Sequence, residues 1–337
     1  MTHFNYENAA RESITCNLCG RDCFVVMALR AASGLRVQTV LCKYCGFIYI
    51  NPRITKEEYD RYYHSFYRSH RAEVKQGGDA GGNLEKNFVS SRRLGVALGK
   101  RLQPYMDGSG IALDVGSSTG GVLVGLREVF PKLSVKGIEP SSEESQYAKA
   151  HGIPTHTGLF ENFIVGEGNN FPPAALILCV RSLNHLLDPR GFVRWCFEHL
   201  EENGHLLLEV KNFRHQCRRA GSFEAGVQID HPFMFTPETL VDLVAANGFR
   251  VLYLDNDEFK THAALIRQRE EGLSLHHIRL IAEKTTLKSL VHLSKGTSRR
   301  LRSWKLRIQF ARPFIRLYCF LFYAPRLSFV RNIFLRS

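Results

Sequence analysis

One strand-to-turn segment constrains this chain more than any other feature. Residues 111–115 are apolar except for Asp114, and they lead into the small-residue turn Gly116-Ser-Ser118-Thr-Gly120. Small residues let the backbone approach a ligand closely, because side chains there would occupy the ligand's space. The next apolar run ends in Gly137-Ile-Glu139, and an acid at a strand tip suits a ribose diol. The segment therefore predicts a nucleotide-type site, although a tight turn without a ligand uses the same residues.

The position of Asp114 separates this turn from a dinucleotide fingerprint. Such a fingerprint expects G-x-G-x-x-G with its acid about 20 residues further on. Here the pattern is Asp-x-Gly-x-Ser-x-Gly, so the acid precedes the turn and favours a cofactor that carries a cation. The pattern resembles motif I of the class I S-adenosylmethionine-dependent methyltransferases, Asp/Glu-x-Gly-x-Gly-x-Gly, with Ser118 in place of the middle glycine.

That resemblance implies a set of residues that bind S-adenosylmethionine. The set comprises Asp114, Gly116, Ser118, Gly120 and Glu139, with Glu161 as a further candidate near the adenine. The alternative for Glu161 is that Leu159-Phe160-Glu161 begins a surface helix.

Strands and helices are predicted to alternate through the middle of the chain. The predicted strands are 111–115, 134–139, 153–157, 174–180, 205–211, 249–254 and 262–267. The predicted helices are 84–106, 121–130, one opened by the capping-box pattern Ser141-x-x-Glu144, 189–203 and 236–248. Alternation of this kind indicates an α/β fold with a doubly wound sheet and helices on both faces. Seven strands is the number in the Rossmann-like methyltransferase sheet that the resemblance implies.

Four of the nine cysteines form two matched pairs. Cys16-Asn-Leu-Cys19 and Cys42-Lys-Tyr-Cys45 are joined by a stretch long enough for a hairpin that brings the pairs together. Two Cys-x-x-Cys turns present four thiolates to one tetrahedral ion, so a structural zinc is predicted. The alternative is a chance pairing of buried or redox-active cysteines. Cys23 lies close enough to compete as a ligand but falls outside both turns.

The residues after the second cysteine pair carry another resemblance. Asn51-Pro52-Arg53 and the tyrosines that follow are similar to the N-terminal box of a methyltransferase subgroup with a zinc-ribbon-like module. That subgroup is associated with the modification of sugars, polysaccharides and other secondary metabolites. A hydroxyl (or carbon) of a sugar, glycan or small metabolite is therefore the acceptor that the resemblance implies.

Two histidines are candidates for a general base. His185 follows the fourth predicted strand in Asn184-His185, where the family often has Glu-His, and His231 begins a segment that resembles the family's His-x-x-x-Phe. A histidine suits this task because its ordinary pKa lies near working pH. The alternatives are a helix-capping Asn184 beside a packed His185, and a buried, hydrogen-bonded His231 in an aromatic loop.

The positive charge is concentrated at one end of the chain. The net charge is +13, and 13 of the 45 Lys and Arg residues lie from Lys284 onwards, where there is no Asp or Glu. The other 32 basic residues match the 32 acidic ones. A basic, aromatic-rich tail favours an anionic membrane surface through residues 284–337, with packing on the protein body and then nucleic acid as alternatives. No N-terminal signal segment is visible, so a cytoplasmic protein is expected, peripheral at the inner membrane face.

Four regions are predicted from these features. They are a zinc-ribbon-like module with a Tyr-rich helix (1–70), a Gly-rich linker and lead-in helix (71–105), the cofactor-binding domain (106–270) and a basic helical tail (271–337). The leading prediction is a methyltransferase with a structural zinc. The alternatives are an RNA methyltransferase and a non-catalytic binding protein on the same fold.

Overall fold

The structure is a computed structural model that describes residues 4–66, 83–258 and 260–285. Most of the predicted Gly-rich linker and all but the first two residues of the predicted 284–337 membrane-binding tail lie outside the described residues. Within the described ranges, no helix combines the length and the apolar character needed to cross a bilayer.

The N-terminal part contains a small antiparallel sheet, a separate two-stranded sheet and one helix. Its elements are β1 (Arg11–Glu12), β2 (Phe24–Arg30), β3 (Arg36–Cys42), β4 (Ile48–Ile50), β5 (Arg53–Ile54) and α1 (Lys56–Ser65). β1 and β5 form the two-stranded sheet. β2 and β3 pair as a hairpin with Phe24 opposite Cys42, which brings the two cysteine pairs to the same end. The hairpin predicted between the cysteine pairs is therefore present.

The rest of the described chain alternates between strands and helices. The strands are β6 (Ile111–Val115), β7 (Ser134–Glu139), β8 (Thr155–Thr157), β9 (Ala174–Val180), β10 (Leu200–Lys211), β11 (Phe233–Met234), β12 (Phe249–Asp255) and β13 (His277–Lys284). The helices are α2 (Leu84–Leu102), α3 (Gly121–Val129), α4 (Ser142–Ala150), α5 (Phe160–Phe163), α6 (Pro189–His199), α7 (Phe213–Ala220), α8 (Pro237–Ala245) and α9 (His262–Glu270).

Seven of these strands form one mostly parallel sheet, as the alternation predicted. Their order is β12-β13-β10-β9-β6-β7-β8, and only β13 runs antiparallel to its neighbours. The chain places β7 and β8 on one side of β6 and then crosses to β9 on the other side. Ligands of such sheets bind beyond the carboxyl ends of the strands at this reversal, between β6 and β9.

The prediction of a strand over 262–267 is wrong. Those residues form α9, whose first turn is capped by the Thr261 hydroxyl, which accepts a hydrogen bond from the Ala264 N–H at 3.3 Å. The seventh strand is β13, which fills the gap between β10 and β12. The sheet therefore continues to Lys284, and the predicted boundary at residue 270 falls before its last strand.

The predicted helix over 189–203 is too long. It ends at His199, because Leu200 already pairs with Ala174 at the start of β10. Gly204, predicted to end the helix, lies inside this strand. The backbone of Glu201 and the Ala174 carbonyl come within about 3 Å of where a Cβ at position 204 would lie.

A segment that follows β10 completes the N-terminal sheet. In β11, Phe233 pairs with Tyr49 and Met234 with Ile48, so the small sheet has the order β11-β4-β3-β2. Ring stacking reinforces the junction, since Phe47 and Phe233 are parallel within 8° at 5.6 Å. The N-terminal part and the large sheet consequently share a continuous buried core.

Candidate active site

The turn after β6 reaches over the end of β7. The N–H groups of Gly116 and Ser117 donate to the Ile138 carbonyl at 2.8 and 3.0 Å. Gly116 has φ +80°, and a Cβ there would lie 2.2 Å from the Ser182 hydroxyl oxygen. Glycine is therefore required at this position for both conformation and space. Gly120, with φ +76°, is the residue that precedes α3.

The carboxylate of Glu139 is fixed at the tip of β7. It accepts the N–H groups of Ser118 and Ser141, each at 2.8 Å. Burial raises the pKa of Glu139 to about 8, with the nearby Glu144 charge adding to the effect and the two N–H donors opposing it. The side chain thus lies at the strand end where the sequence predicted a ribose-binding acid.

Asp114 is a buried carboxyl with spare hydrogen-bonding capacity. Its Oδ1 has no hydrogen-bond partner among the described residues, although the side chain lines the cavity. Burial raises the pKa of Asp114 to about 7. A buried acceptor without a partner is costly, and a ligand that brings a cation or a donor would satisfy it. The residues present therefore fit the cofactor that the motif implies.

One cavity of about 1090 Å³ joins this turn to the N-terminal part of the chain. Of the predicted cofactor residues, Asp114, Gly116, Ser118, Glu139 and Glu161 line it, whereas Gly120 does not. Glu161 lies in the first turn of α5, as its alternative proposed, and its contact with the adenine stays a prediction. Its Oε1 accepts the Leu187 N–H at 3.0 Å, which ties it to the loop after β9.

The structure brings the two predicted bases together around one carboxylate. The rings of His185 and His231 are 4.6 Å apart and nearly perpendicular. Asp230 lies between them, with one oxygen 3.9 Å from His185 Nδ1 and the other 3.8 Å from His231 Nε2. Burial opposes ionisation of Asp230, but the charges of His231, His185 and Lys211 outweigh it and lower the pKa of Asp230 to about 2.

Tyr63 and Asp230 are two site residues that the sequence analysis did not assign. The Tyr63 hydroxyl is 2.8 Å from His185 Nδ1, and both residues line the cavity. Asp230 precedes His231 directly, so the acid–histidine pair was a usable signal. Tyr63 gave no such signal, because it lies 122 residues from its histidine partner.

The structural alternatives for the histidines have different outcomes. Asn184 lies within the 3₁₀ turn Leu183–His185, and its buried amide makes no hydrogen bond to any described residue, so the capping interpretation is wrong. His231 is buried, as its alternative proposed, but it also lines the cavity. Lys211 lies nearby and donates to Gln228 Oε1 at 3.0 Å.

The four paired cysteines converge at the start of the small sheet. The sulfurs of Cys16 and Cys45 are 3.5 Å apart, those of Cys19 and Cys42 are 3.6 Å apart, and all four lie within 4.8 Å of one another. Tetrahedral zinc with thiolate ligands spaces its sulfurs by about 3.8 Å, so the arrangement fits such an ion. Cys23 is not part of this group.

A glycine follows each cysteine pair, which is a signal that the sequence analysis did not use. Gly20 and Gly46 have φ +74° and +80°, and they donate to the carbonyls of Cys16 and Cys42 at 2.7 and 3.0 Å. These matched turns curl the backbone so that both sulfurs of each pair face the same point.

Comparison with known proteins agrees with the fold and the turn. Residues 90–254 match the family model described as "Methyltransferase domain". The chain thus contains a methyltransferase domain, which spans residues 90–254. No curated protein matches it.

Several solved structures are similar to this chain. The plantazolicin methyltransferase BamL, in complex with a triazolic desmethylPZN analog and SAH, is 15% identical with a TM-score of 0.48, over 67% of this chain and 94% of that one. The plantazolicin methyltransferase BpumL, in complex with SAH, is 13% identical with a TM-score of 0.45, over 68% and 98%. A Mesorhizobium loti S-adenosylmethionine-dependent methyltransferase is 14% identical with a TM-score of 0.42, over 57% and 100%.

Proposed function

We propose that this methyltransferase acts on a hydroxyl (or carbon) of a sugar, glycan or related metabolite. The observation that supports it best is the shared cavity, which places Tyr63, His185, Asp230 and His231 in the same space as the turn after β6. A base is needed only where the acceptor atom must lose a proton, as a hydroxyl does. Tyrosines and polar groups on the cavity wall suit a compact, hydroxylated acceptor.

The chain's own residues provide alignment and proton removal. S-adenosylmethionine, when bound, supplies a methyl group on an electrophilic sulfonium carbon. When the cofactor is bound, Glu139 would hold its ribose hydroxyls, and Asp114 would offer its unpartnered oxygen to the positively charged side of the cofactor. His231 or His185 accepts the acceptor's proton, and ionised Asp230 stabilises the resulting imidazolium. Tyr63 fixes the ring of His185 through Nδ1.

We also propose that Cys16, Cys19, Cys42 and Cys45 hold a structural zinc ion. Four thiolates leave no open coordination position, so the ion organises the N-terminal part and takes no part in methyl transfer. Residues 284–337 are proposed to meet an anionic membrane surface, on the charge pattern alone.

Calorimetry with S-adenosylhomocysteine tests the cofactor site. We expect the wild-type chain to bind and Glu139→Gln to raise the Kd roughly 10- to 100-fold, because hydrogen bonds to a charged acceptor are lost. Glu202→Gln, at an exposed position in β10, is the control and should leave the Kd unchanged. Absence of binding by the wild type would contradict the cofactor assignment.

A methyl-transfer screen over nucleotide sugars, glycans and RNA tests the acceptor. Asp230→Asn should lower kcat about 10- to 1000-fold while S-adenosylhomocysteine still binds, because the imidazolium loses its counter-charge. Transfer to RNA alone would replace the proposed acceptor class with the alternative one. Cofactor binding without transfer to any acceptor would favour a binding protein.

A further inference from the structure

The loop that carries His185 is fastened to the N-terminal part of the chain. Arg53 Nη1 donates to the Leu187 carbonyl at 2.6 Å, two residues after the histidine. The same guanidinium donates through Nε to Glu12 Oε1 at 2.8 Å, and its side chain is only 12% exposed. Arg53 thus connects the two-stranded sheet of β1 and β5 to the backbone of the loop.

The first cysteine turn makes a second connection. Asn17 lies between Cys16 and Cys19, and its amide donates to Asp188 Oδ1 at 2.7 Å. Its own Oδ1 accepts the Arg190 N–H at 2.9 Å. Asp188 also caps α6 by accepting the Gly191 N–H at 2.8 Å. The end of the loop is therefore hydrogen-bonded to Asn17, which lies in the chain between two of the proposed metal-ligating cysteines.

Apolar packing joins the same parts. Leu183 begins the 3₁₀ turn of His185 and Leu186 follows it, and both are buried in the core cluster that contains Cys16, Leu18 and Cys45. The loop is thus held by hydrogen bonds on one side and by the core around the cysteines on the other.

We infer that Asn17 and Arg53 are positioning residues, through which the four-cysteine module sets the place of His185 beside Tyr63 and Asp230. The inference rests on the proposed function in giving His185 a role in transfer. The module would therefore complete the acceptor half of the site, whereas the turn after β6 and Glu139 need no residue from it. The four cysteines would thus affect the acceptor site only indirectly, by holding the residues that position His185, and they would take no part in the transfer step itself.

An exchange of charge across the contact provides the sharpest test. Asn17→Asp keeps an acceptor for the Arg190 N–H but places a second carboxylate against Asp188. The double variant Asn17→Asp/Asp188→Asn restores a donor and an acceptor between the two side chains, and the amide oxygen at position 188 can still cap Gly191. Lys43→Ala is the matched control, because Lys43 occupies the same place in the second cysteine turn.

Amide hydrogen exchange of full-length protein provides a readout that does not need an acceptor. The His185 N–H donates to the Ser182 carbonyl, and the Leu187 N–H to Glu161, so neither reports directly on position 17. We expect these two amides to exchange about tenfold faster or more in the Asn17→Asp variant. In the double variant their exchange rates should return close to those of the wild type. Metal content and S-adenosylhomocysteine affinity should stay unchanged.

Unchanged exchange at His185 and Leu187 in the metal-containing Asn17→Asp variant would overturn the inference. If the Asn17→Asp variant loses its metal, the Arg53→Met variant tests the inference instead, because Arg53 lies apart from the cysteines. Arg53→Met should show the same faster exchange at His185 and Leu187. With an acceptor in hand, kcat should fall in Asn17→Asp and recover in the double variant, with KM for the cofactor constant. Failure of the wild type to bind S-adenosylhomocysteine would contradict the proposed function. The exchange rates would still test whether Asn17 and Arg53 position the loop of His185.

Discussion

The buried carboxyl groups of Asp114 and Glu139 carry an electrostatic free-energy cost in the ligand-free protein. Burial raises the pKa of Asp114 to about 7 and that of Glu139 to about 8, both well above their ordinary values. Such sites cost stability when ionised and are compensated when a ligand brings a cation or donors. The two predicted cofactor-binding acids therefore lower the stability of the ligand-free fold.

This cost predicts a pH dependence of stability. Between about pH 4 and pH 8 the folded chain holds protons at Asp114 and Glu139 that the unfolded chain has released, so the free energy of unfolding falls as pH rises. We expect Asp114→Asn to reduce this pH-dependent decrease in the free energy of unfolding by up to about 4 kcal/mol. Urea unfolding of the ligand-free protein across this range measures it.

The exposed control for this experiment is Glu202→Gln, which should keep the wild-type slope. An Asp114→Asn slope equal to that of wild type would mean that the carboxyl is ionised, or solvated, throughout. S-adenosylhomocysteine should stabilise the wild type more at pH 8 than at pH 5.

At the scale of elements, α2 and α3 pack through glycines. A Cβ at Gly95 would lie 2.2 Å from the Val122 carbonyl oxygen, and one at Gly125 would lie 2.1 Å from the Arg92 carbonyl oxygen. These approaches allow α3, which begins directly at the cofactor turn, to be buried against α2. The pairing of these helices therefore helps to fix the position of the turn.

Two glycines one turn apart on α2 give a matched pair of variants. Gly95→Ala must push backbone away, so we expect a loss of roughly 2–4 kcal/mol in the free energy of unfolding. Gly99→Ala approaches side-chain atoms of Val129 at 2.9 Å instead of backbone, so we expect a smaller loss, which about 1 kcal/mol of helix propensity partly offsets. Chemical denaturation measures the free energy of unfolding of both variants. Equal losses in the two variants would show that Gly95 is not needed for the close contact between the helices.

Strand prediction succeeded for the continuous apolar run of β9 and failed at the end of the sheet. The Ala174–Val180 run is apolar throughout, as a strand covered on both faces requires. β13 contains a buried Arg279, paired with Glu209 at 2.7 Å, which breaks the expected apolar pattern. The charge is tolerated because its partner lies on the neighbouring strand, and a sequence window does not contain that partner.

For the whole molecule, the four-cysteine cluster joins the N-terminal part to the rest of the core. We expect purified protein to contain about one zinc ion per chain, and Cys45→Ser to lose it and unfold more readily. Metal analysis together with thermal unfolding measures both effects. Cys23→Ser is the matched control, because Cys23 is a neighbouring thiol outside the four-sulfur group.

If Cys45→Ser kept the metal and Cys23→Ser lost it, Cys23 would be a metal ligand in place of Cys45. Loss of metal should also speed exchange at His185 and Leu187, since Asn17 is held by the same turn. Such a result would show that the cysteine cluster and the candidate active site are coupled through contacts between distant parts of the chain.

The sequence by itself determined the features that local chemistry dictates. The small residues from Gly116 to Gly120 predict a tight turn, Asp114 and Glu139 lie at or next to the ends of adjacent parallel strands, and each Cys-x-x-Cys turn directs two sulfurs to one point. These features involve residues close together in the chain or strands related by a simple alternation. They were sufficient to indicate the parallel sheet, the methyltransferase domain and the convergence of the four cysteines.

Only the tertiary structure decided which distant residues meet. Tyr63 reaches His185, β11 pairs with β4, and Arg53 bonds to Leu187, although more than 100 residues separate the partners in each case. These contacts arise because the N-terminal part and the segment after β10 bury their apolar faces together. Burial of that kind depends on the whole core, and no local pattern records it.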